Sequence, residues 1–184
     1  MPDRPIRVLT VDPGATSGIC HGEPGKAPVY SLLRLPSVEE YGDRYNVLED
    51  KLREFIIGNG VTHLYYEAPF VSERFMSVKQ IELLYGYKAT IRKAGAREGI
   101  KGVPVVAAQW RKVAFNSAQP PKGLDYDKRR KWWKSEAIKR CIRNGWNIES
   151  DDVAEAALLW EYACGDLVPD VAIESTPLFS KIRL

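Results

Sequence analysis

The chain has 184 residues, a formal net charge of +3 at pH 7 and a hydrophobic content of 45%. These values indicate one globular domain of ordinary composition. No apolar run approaches the ~20 residues that a membrane-spanning helix requires, so we expect no membrane partner. Three scattered cysteines match neither a metal-binding spacing nor an even-numbered framework, which predicts free thiols. Because the first residues, MPDRPIR, lead directly into a strand pattern, we expect no signal peptide and a cytoplasmic location.

The first part of the chain predicts three strands. Residues 6–12 (IRVLTVD) have the pattern of a buried strand. Residues 18–22 and about 28–34 predict two more strands, and Gly and Pro mark the turns between them. We expect these strands to form an antiparallel meander.

Helices and strands alternate in the rest of the chain. Apolar residues recur at helical spacing over 38–57 and predict the first helix, which Gly58-Asn59-Gly60 ends. A strand that ends at Glu67, a long helix over 76–97 and a short strand over 103–107 follow. Because parallel strands need such crossover helices, we expect parallel pairing here and an α/β fold with one mixed sheet of five strands.

The C-terminal third predicts a loop and two helices. Residues 116–127 contain Pro120-Pro121 and predict a loop. A basic helix over 128–144 and a last helix over 151–164 follow, the latter with Ser150 as its N-cap. We expect one domain over 1–164 and a tail over 165–184.

Two of the predicted strands end in an acid that a proline follows closely. Asp12 precedes Pro13, and Glu67 precedes Ala68-Pro69. Ligands of open α/β sheets collect beyond the carboxyl ends of the strands, so neighbouring strands would direct both acids into one crevice. Either acid alone is better explained as a residue that merely ends its strand.

The last helix carries a second group of acids. Asp152 and Glu155 are three residues apart and share a helix face, and Asp151 is four residues from Glu155. Small alanines around them would allow close packing on the sheet, where carboxylates are costly without partners. The helix dipole offers a simpler explanation of Asp151 and Asp152, but it explains Glu155 on the second turn less well.

Such an acid cluster fits a divalent-cation site. Mg²⁺ prefers carboxylate oxygens, and two such ions about 3.5–4 Å apart promote phosphodiester hydrolysis.

The basic segment KRRKWWKSEAIKRCIR over 128–143 indicates a polyanionic partner, although a solvated helix face is the common alternative. Of its two tryptophans, we expect Trp132 to be exposed and Trp133 to be buried.

The ordered motifs resemble the RuvC family of Holliday-junction resolvases, within the ribonuclease H-like nucleases. The resemblance covers most of residues 6–164 and is carried by VLTVDPGATSG, HLYYEAPF, QWRK, WKSEAIKR and DDVAEAALL. It implies a ribonuclease H-like α/β fold with a five-stranded mixed sheet flanked by helices. It also implies a Mg²⁺-dependent endonuclease that resolves four-way junctions by symmetric nicking.

The resemblance assigns catalytic roles to the acids. Asp12 matches the first-strand acid that bridges two metal ions, and Glu67 matches the acid of the fourth strand. Asp152 and Glu155 match the pair on the last helix, where better-known bacterial members have Asp at the second position. Asp151 is the alternative ligand if the register shifts by one. Two Mg²⁺ ions per site are implied, and we expect Mn²⁺ to substitute for them.

The resemblance also implies a DNA-binding surface and a homodimer. An aromatic residue three positions after the strand acid enters the junction, and basic residues flank the site. The resemblance gives Phe70, Arg111 or Lys112, and Lys134 as DNA-binding residues. The basic segment adds Lys128, Arg129, Arg130 and Lys131 to the predicted set. The long helix is the candidate dimer element through Ile81, Leu84, Tyr85 and Ile91, a stripe that could equally belong to the core.

Three features differ from the bacterial pattern: the proline-rich loop over 116–127, the tryptophan pair and the tail from Gly165. They favour a phage-type member, acting in a bacterial or phage-infected cell, that also cuts forks or flaps. Two further hypotheses are one lobe of the actin and sugar-kinase superfamily and a non-catalytic DNA-binding module with the same fold.

Overall fold

The computed structural model describes residues 4–37, 41–71, 76–117 and 119–169. In these ranges the chain forms five strands and five helices. In chain order they are β1 (Val8–Asp12), β2 (Thr16–Gly22), β3 (Val29–Arg34), α1 (Tyr41–Gly58), β4 (His63–Glu67), α2 (Val78–Arg97), β5 (Gly102–Val105), α3 (Ala107–Phe115), α4 (Tyr126–Arg143) and α5 (Asp151–Leu167).

The strands form one mixed sheet in the order β3-β2-β1-β4-β5. β1, β2 and β3 pair antiparallel, whereas β4 pairs parallel with both β1 and β5. This arrangement confirms the predicted meander and the predicted parallel pairing. Since β1 and β4 are neighbours with Val11 opposite Tyr66, the strand ends at Asp12 and Glu67 lie side by side.

Alternation along β1 divides its side chains between two cores. Leu9 and Val11 pack with the core under α1 and α2, whereas Val8 packs with the core under α3, α4 and α5. The same alternation on β4 sends Tyr66 to the first core and Tyr65 to the second. Because successive side chains of a strand point to opposite faces, both terminal acids, Asp12 and Glu67, face the α5 side.

The helix α3 was not predicted. It has only nine residues, and Val106 at its N-cap has no side-chain acceptor for the first backbone N–H groups. Instead, the Gln109 side-chain oxygen accepts a hydrogen bond from the Val106 backbone N–H at 3.0 Å. Asn116 ends the helix in the left-handed conformation with φ of 55°. The N-cap of α3 thus lacks the Ser, Thr or Asp side chain that usually marks a helix start.

The other helix boundaries differ little from the predictions. Residues 38–40 of the first predicted helix lie outside the described residues, and α1 begins at Tyr41. Ser150 occupies the N-cap of α5 as predicted, but its side chain makes no capping hydrogen bond. The helix α5 continues to Leu167, three residues into the predicted tail over 165–184, so the predicted end at residue 164 was wrong. The tail residues from 170 lie outside the described residues.

The three cysteines are free and buried, as predicted. Their thiols lie in the core that α5 closes. None of the helices in the described ranges combines the length and the hydropathy of a membrane span.

The helix α5 lies unusually close to the sheet, and its contacts explain why. The Thr10 hydroxyl donates a hydrogen bond to the Ala156 carbonyl oxygen at 2.8 Å. Opposite Asp12 on the next strand is Gly18, where a Cβ atom would lie 1.9 Å from the Asp152 carbonyl oxygen. Only hydrogen fits at that position, so Gly18 lets the first turn of α5 reach the end of β1.

We predict that Gly18→Ala destabilises the fold by at least about 1–3 kcal/mol, because the added methyl group overlaps helix backbone and α5 must move outward. Gly42→Ala is the matched control, since a Cβ there meets nothing within 4 Å and alanine is the better helix former. Urea denaturation of both variants measures the difference. A Gly18→Ala protein as stable as the wild type would contradict the close contact.

Candidate active site

Three carboxylates converge where β1 ends and α5 begins. Asp12 comes from β1, and Asp152 and Glu155 come from the first two turns of α5. One carboxylate oxygen from each of the three lies within 4.8 Å of the other two. Their spacing of three residues on α5 places Asp152 and Glu155 on one face, as predicted. We call this group the acidic cluster.

Glu67 lies beside the acidic cluster but is not one of its three members. Its Oε2 atom accepts a hydrogen bond from the Trp110 indole N–H at 2.7 Å. Its charge acts on Asp12, and the charge of Glu155 acts on Glu67 in turn, which shows that the four predicted catalytic acids share one site. Their catalytic roles stay predictions.

Burial and mutual repulsion disfavour the ionised forms of Asp12, Glu67 and Glu155. Burial raises the pKa of Asp12 well above its ordinary range, and the charges of Glu67, Glu155 and Asp152 raise it further. Burial and the Glu155 charge raise the pKa of Glu67 to about 7. The pKa of Glu155 is also raised, chiefly by burial. Holding these groups ionised therefore costs folding free energy, which a bound cation would offset.

Two cations contact the acidic cluster. The Arg111 Nη2 atom donates to Glu155 Oε1 at 3.0 Å. The Lys134 ammonium pairs with Asp151 and, at 3.4 Å, with Asp152. Both were predicted as DNA-binding residues, and the structure places both beside the carboxylates. Of the two candidates on α3, Arg111 lies at the site, whereas Lys112 is exposed.

Asp151 occupies a different position from its neighbour Asp152. Its carboxylate faces Lys134 and is not a member of the acidic cluster. Burial alone would raise its pKa, but the hydrogen bond and charge of Lys134 outweigh burial, and the pKa is lowered overall. Of the two possible registers, the geometry thus favours Asp152 as the ligand.

Sequence reasoning missed Trp110. Its ring and that of Trp133 both contact the Arg111 guanidinium, whose central carbon lies 5.0 Å and 5.1 Å from the two ring centroids. The motif QWRK placed Trp110 beside Arg111 in the sequence, but without a predicted helix its direction could not be inferred. Trp133 is buried as predicted, whereas Trp132 is half-buried rather than exposed and packs edge-on against Trp133.

The remaining predicted DNA-binding residues are exposed. Phe70, just beyond the end of β4, is 74% exposed despite its apolar ring. Four further basic side chains are exposed on the first half of α4: Lys128, Arg129, Arg130 and Lys131. Arg130 and Lys131 lie four and three residues before Lys134, on the same helix face. A basic strip therefore leads along α4 to the acidic cluster.

Comparison with solved structures identifies the fold, whereas the two sequence comparisons give no match. No protein-family model and no curated protein sequence matches the chain. Among solved structures, Thermus thermophilus RuvC in complex with a Holliday junction substrate matches with a TM-score of 0.65 and 10% identity, over 88% of this chain and 95% of that one. A second Thermus thermophilus RuvC structure has a TM-score of 0.60 and 12% identity, over 89% and 97%.

A third similar structure comes from yeast. The mitochondrial Holliday junction resolvase Ydc2 matches with a TM-score of 0.51 and 11% identity, over 92% of this chain and 85% of that one. At 10–12% identity these likenesses show the architecture, and they confirm the predicted fold class. The chain has the RuvC-type, ribonuclease H-like α/β fold with a five-stranded mixed sheet.

Proposed function

We propose that this chain is a divalent-metal-dependent endonuclease that cuts branched DNA, with the four-way Holliday junction as its main substrate. The observation that carries the proposal is the acidic cluster of Asp12, Asp152 and Glu155, within 4.8 Å, beside Glu67. A fold serving only as a DNA-binding module gains nothing from such a cluster, because clustered buried carboxylates destabilise it. Carboxylate oxygens, in contrast, are the ligands that hold Mg²⁺ ions in two-metal phosphodiester hydrolysis.

The ligand atoms fit Mg²⁺, with Mn²⁺ as the expected substitute, since all are carboxylate oxygens. Asp12, Glu67, Asp152 and Glu155 would hold two ions. When bound, the ions supply the Lewis acidity that activates a water molecule and stabilises the leaving oxygen of the phosphodiester. The products would carry a 5′-phosphate and a 3′-hydroxyl.

The protein's own cations position the DNA strand in this proposal. Arg111 and Lys134 lie against the carboxylates, so a phosphate bound at the cluster comes within reach of both. Their positive charge would stabilise the charge that develops on the phosphate oxygens. Since Arg111 contacts two indole rings, its guanidinium needs little reorganisation.

The basic strip on α4 and the exposed Phe70 ring support binding of branched DNA. Phosphate contacts from Arg130 and Lys131 would supply affinity without reading the base sequence. The Phe70 ring, 74% exposed beside the strand end, is accessible for stacking on bases that are unpaired at a junction.

Symmetric nicking needs two active sites, so we propose a homodimer. The candidate contact is the outer face of α2, where Val78 is 70% exposed and Tyr85 is 50% exposed. Ile81 and Leu84 are half-buried along the same helix. Ile91, also expected on this stripe, packs instead in the core under α1 and α2 and is unable to contact a partner.

The decisive experiment measures cleavage by Asp12→Asn. This substitution keeps the shape of the side chain but removes a charged ligand, so cleavage of a labelled four-way junction in Mg²⁺ should fall by at least about 100-fold. Junction binding in Ca²⁺ should remain. Asp50→Asn, on the exposed side of α1, is the control and should cut normally.

A panel of four-way junctions, forks, flaps and linear duplexes defines the substrate. Paired symmetric nicks in the four-way junction support the proposal, and equal cleavage of forks and flaps would support the broader branched-DNA nuclease. Binding without any cleavage by the wild type in Mg²⁺ or Mn²⁺ would contradict an enzymatic role.

The raised pKa values predict how stability depends on pH without metal. The pKa of Asp12 is 3.8 in the unfolded chain and higher in the folded chain. As the pH rises above 3.8, the unfolded chain therefore releases this proton first, and the folded chain loses stability. In EDTA at pH 8, Asp12→Asn should therefore be more stable than the wild type. Its advantage should shrink as the pH falls through about 7, where Glu67 takes up its proton, and should be smallest near the unfolded Asp12 pKa of 3.8.

Urea denaturation of the two proteins at several pH values measures this difference. Adding Mg²⁺ at pH 8 should then stabilise the wild type and not Asp12→Asn, because only the wild type keeps the full ligand set. An advantage of Asp12→Asn that grows as the pH falls would contradict the repulsion described for the acidic cluster.

The basic strip predicts a salt-dependent contribution to binding. The double variant Arg130→Ala/Lys131→Ala should weaken junction binding in Ca²⁺ and reduce the slope of log K against log salt by about one for each phosphate that the variant no longer neutralises. Lys101→Ala is the control, because Lys101 is exposed just before β5, at the opposite end of the sheet from the acidic cluster. Equal slopes for both variants would place the DNA elsewhere.

A further inference from the structure

Trp110 connects Glu67, beside the acidic cluster, to the core of the protein. It lies on α3, which follows β5 after a single residue, and β5 pairs with β4 so that Val105 is opposite Glu67. This connection brings the first turn of α3 next to Glu67. The side chain of Trp110 is almost fully buried, with 1% exposure. Its place is therefore set by strand pairing and core packing, not by a mobile loop.

The indole N–H of Trp110 has one acceptor, Glu67 Oε2, at 2.7 Å. A hydrogen bond of this length from a neutral donor to a carboxylate is strong, and it lowers the pKa of Glu67 against the larger opposing effect of burial. A carboxylate has only two oxygens. The indole hydrogen bond to Oε2 fixes the orientation of the carboxylate, and Oε1 has no hydrogen-bond partner among the described residues.

The same tryptophan also limits the position of Arg111. Its ring lies 5.0 Å from the guanidinium carbon, and the Trp133 ring lies 5.1 Å away on another helix. Trp110 thus contacts an acid of the site through its N–H group and a cation of the site through its ring. Trp133 contacts only the cation, which makes the two residues a natural pair for comparison.

We infer that Trp110 is a positioning residue for metal binding: its indole N–H fixes the orientation in which the Glu67 carboxylate meets a divalent cation. This inference rests on the proposed metal site and adds a residue to it. Groups that hydrogen-bond to metal ligands fix the orientation of those ligands, and their loss typically weakens metal affinity about 10-fold to 100-fold.

The test compares Trp110→Phe with Trp133→Phe. Both substitutions replace a buried indole by a phenyl ring, and both keep an aromatic face for Arg111, but only Trp110→Phe removes the hydrogen bond to Glu67. Calorimetric titration of each protein with Mn²⁺ alone, without DNA, gives the dissociation constant. We expect Trp110→Phe to raise it by about 10-fold or more. Trp133→Phe should change it by less than about threefold, since its indole N–H does not orient Glu67.

A second measurement follows the hydrogen bond itself. Sequential assignment of ¹³C,¹⁵N-labelled wild type identifies the Trp110 indole resonance among those of the five tryptophans. Glu67→Gln should move this resonance clearly, because an amide oxygen is a weaker acceptor than a carboxylate. Asp152→Asn, which alters the acidic cluster without touching Trp110, should move it much less.

Equal changes of the Mn²⁺ dissociation constant in the two tryptophan variants would overturn the inference, since Trp110 would then act only through packing. A Trp110 resonance that ignores Glu67→Gln would overturn it as well, even if the Trp110→Phe protein failed to fold. A wild type that binds no Mn²⁺ would contradict the proposed metal site instead, and the resonance would still show whether Trp110 holds Glu67.

Discussion

The contact between α5 and the end of β1 is the constraint on which the rest of the site depends. Gly18 removes the side chain that would keep the two apart, and the Thr10 hydroxyl fastens β1 to the Ala156 carbonyl. Both partners are backbone atoms of α5, so the contact fixes the helix itself and not only one side chain. Asp152 and Glu155 reach Asp12 because the helix axis is held this close to the sheet.

The second constraint is electrostatic. Four acids at the ends of β1 and β4 and on α5 act on one another, and three of them have raised pKa values. Arg111 and Lys134 offset part of this repulsion from the two sides of the cluster. The fold thus keeps a charge arrangement that it would not need for stability. An unfavourable electrostatic free energy of this kind is typical of functional sites, where charged groups are arranged to bind a ligand.

Much of this arrangement could be predicted because it depends on simple periodicities. Alternation along a strand directs Asp12 and Glu67 to the same side once their strands are neighbours, and helical spacing pairs Asp152 with Glu155. Spacing could not decide between Asp151 and Asp152, since both lie within about one turn of Glu155. The deciding contacts, Lys134 with Asp151 and Gly18 with the Asp152 backbone, join segments far apart in sequence.

The helix α3 and the role of Trp110 could not be predicted for a related reason. Nine residues hold too few turns for a clear apolar period, and the N-cap at Val106 lacks a side-chain acceptor. Without that helix, the directions in which the Trp110 and Arg111 side chains point could not be inferred from the sequence. Ile91 shows the converse problem, because an apolar stripe has the same pattern whether it faces a core or a partner.

The ion pairs of Arg111 with Glu155 and of Lys134 with Asp152 also bear on how ligands would bind in the proposed function. While these cations neutralise carboxylates, they compete with a metal ion for the same oxygens. A phosphate that attracts them away leaves the carboxylates more negative and so strengthens metal binding. By thermodynamic reciprocity, a bound metal releases the cations and strengthens DNA binding by the same factor. Binding of metal and binding of DNA would thus be positively coupled, and the protein would bind its metal ions most tightly when a DNA phosphate lies at the acids.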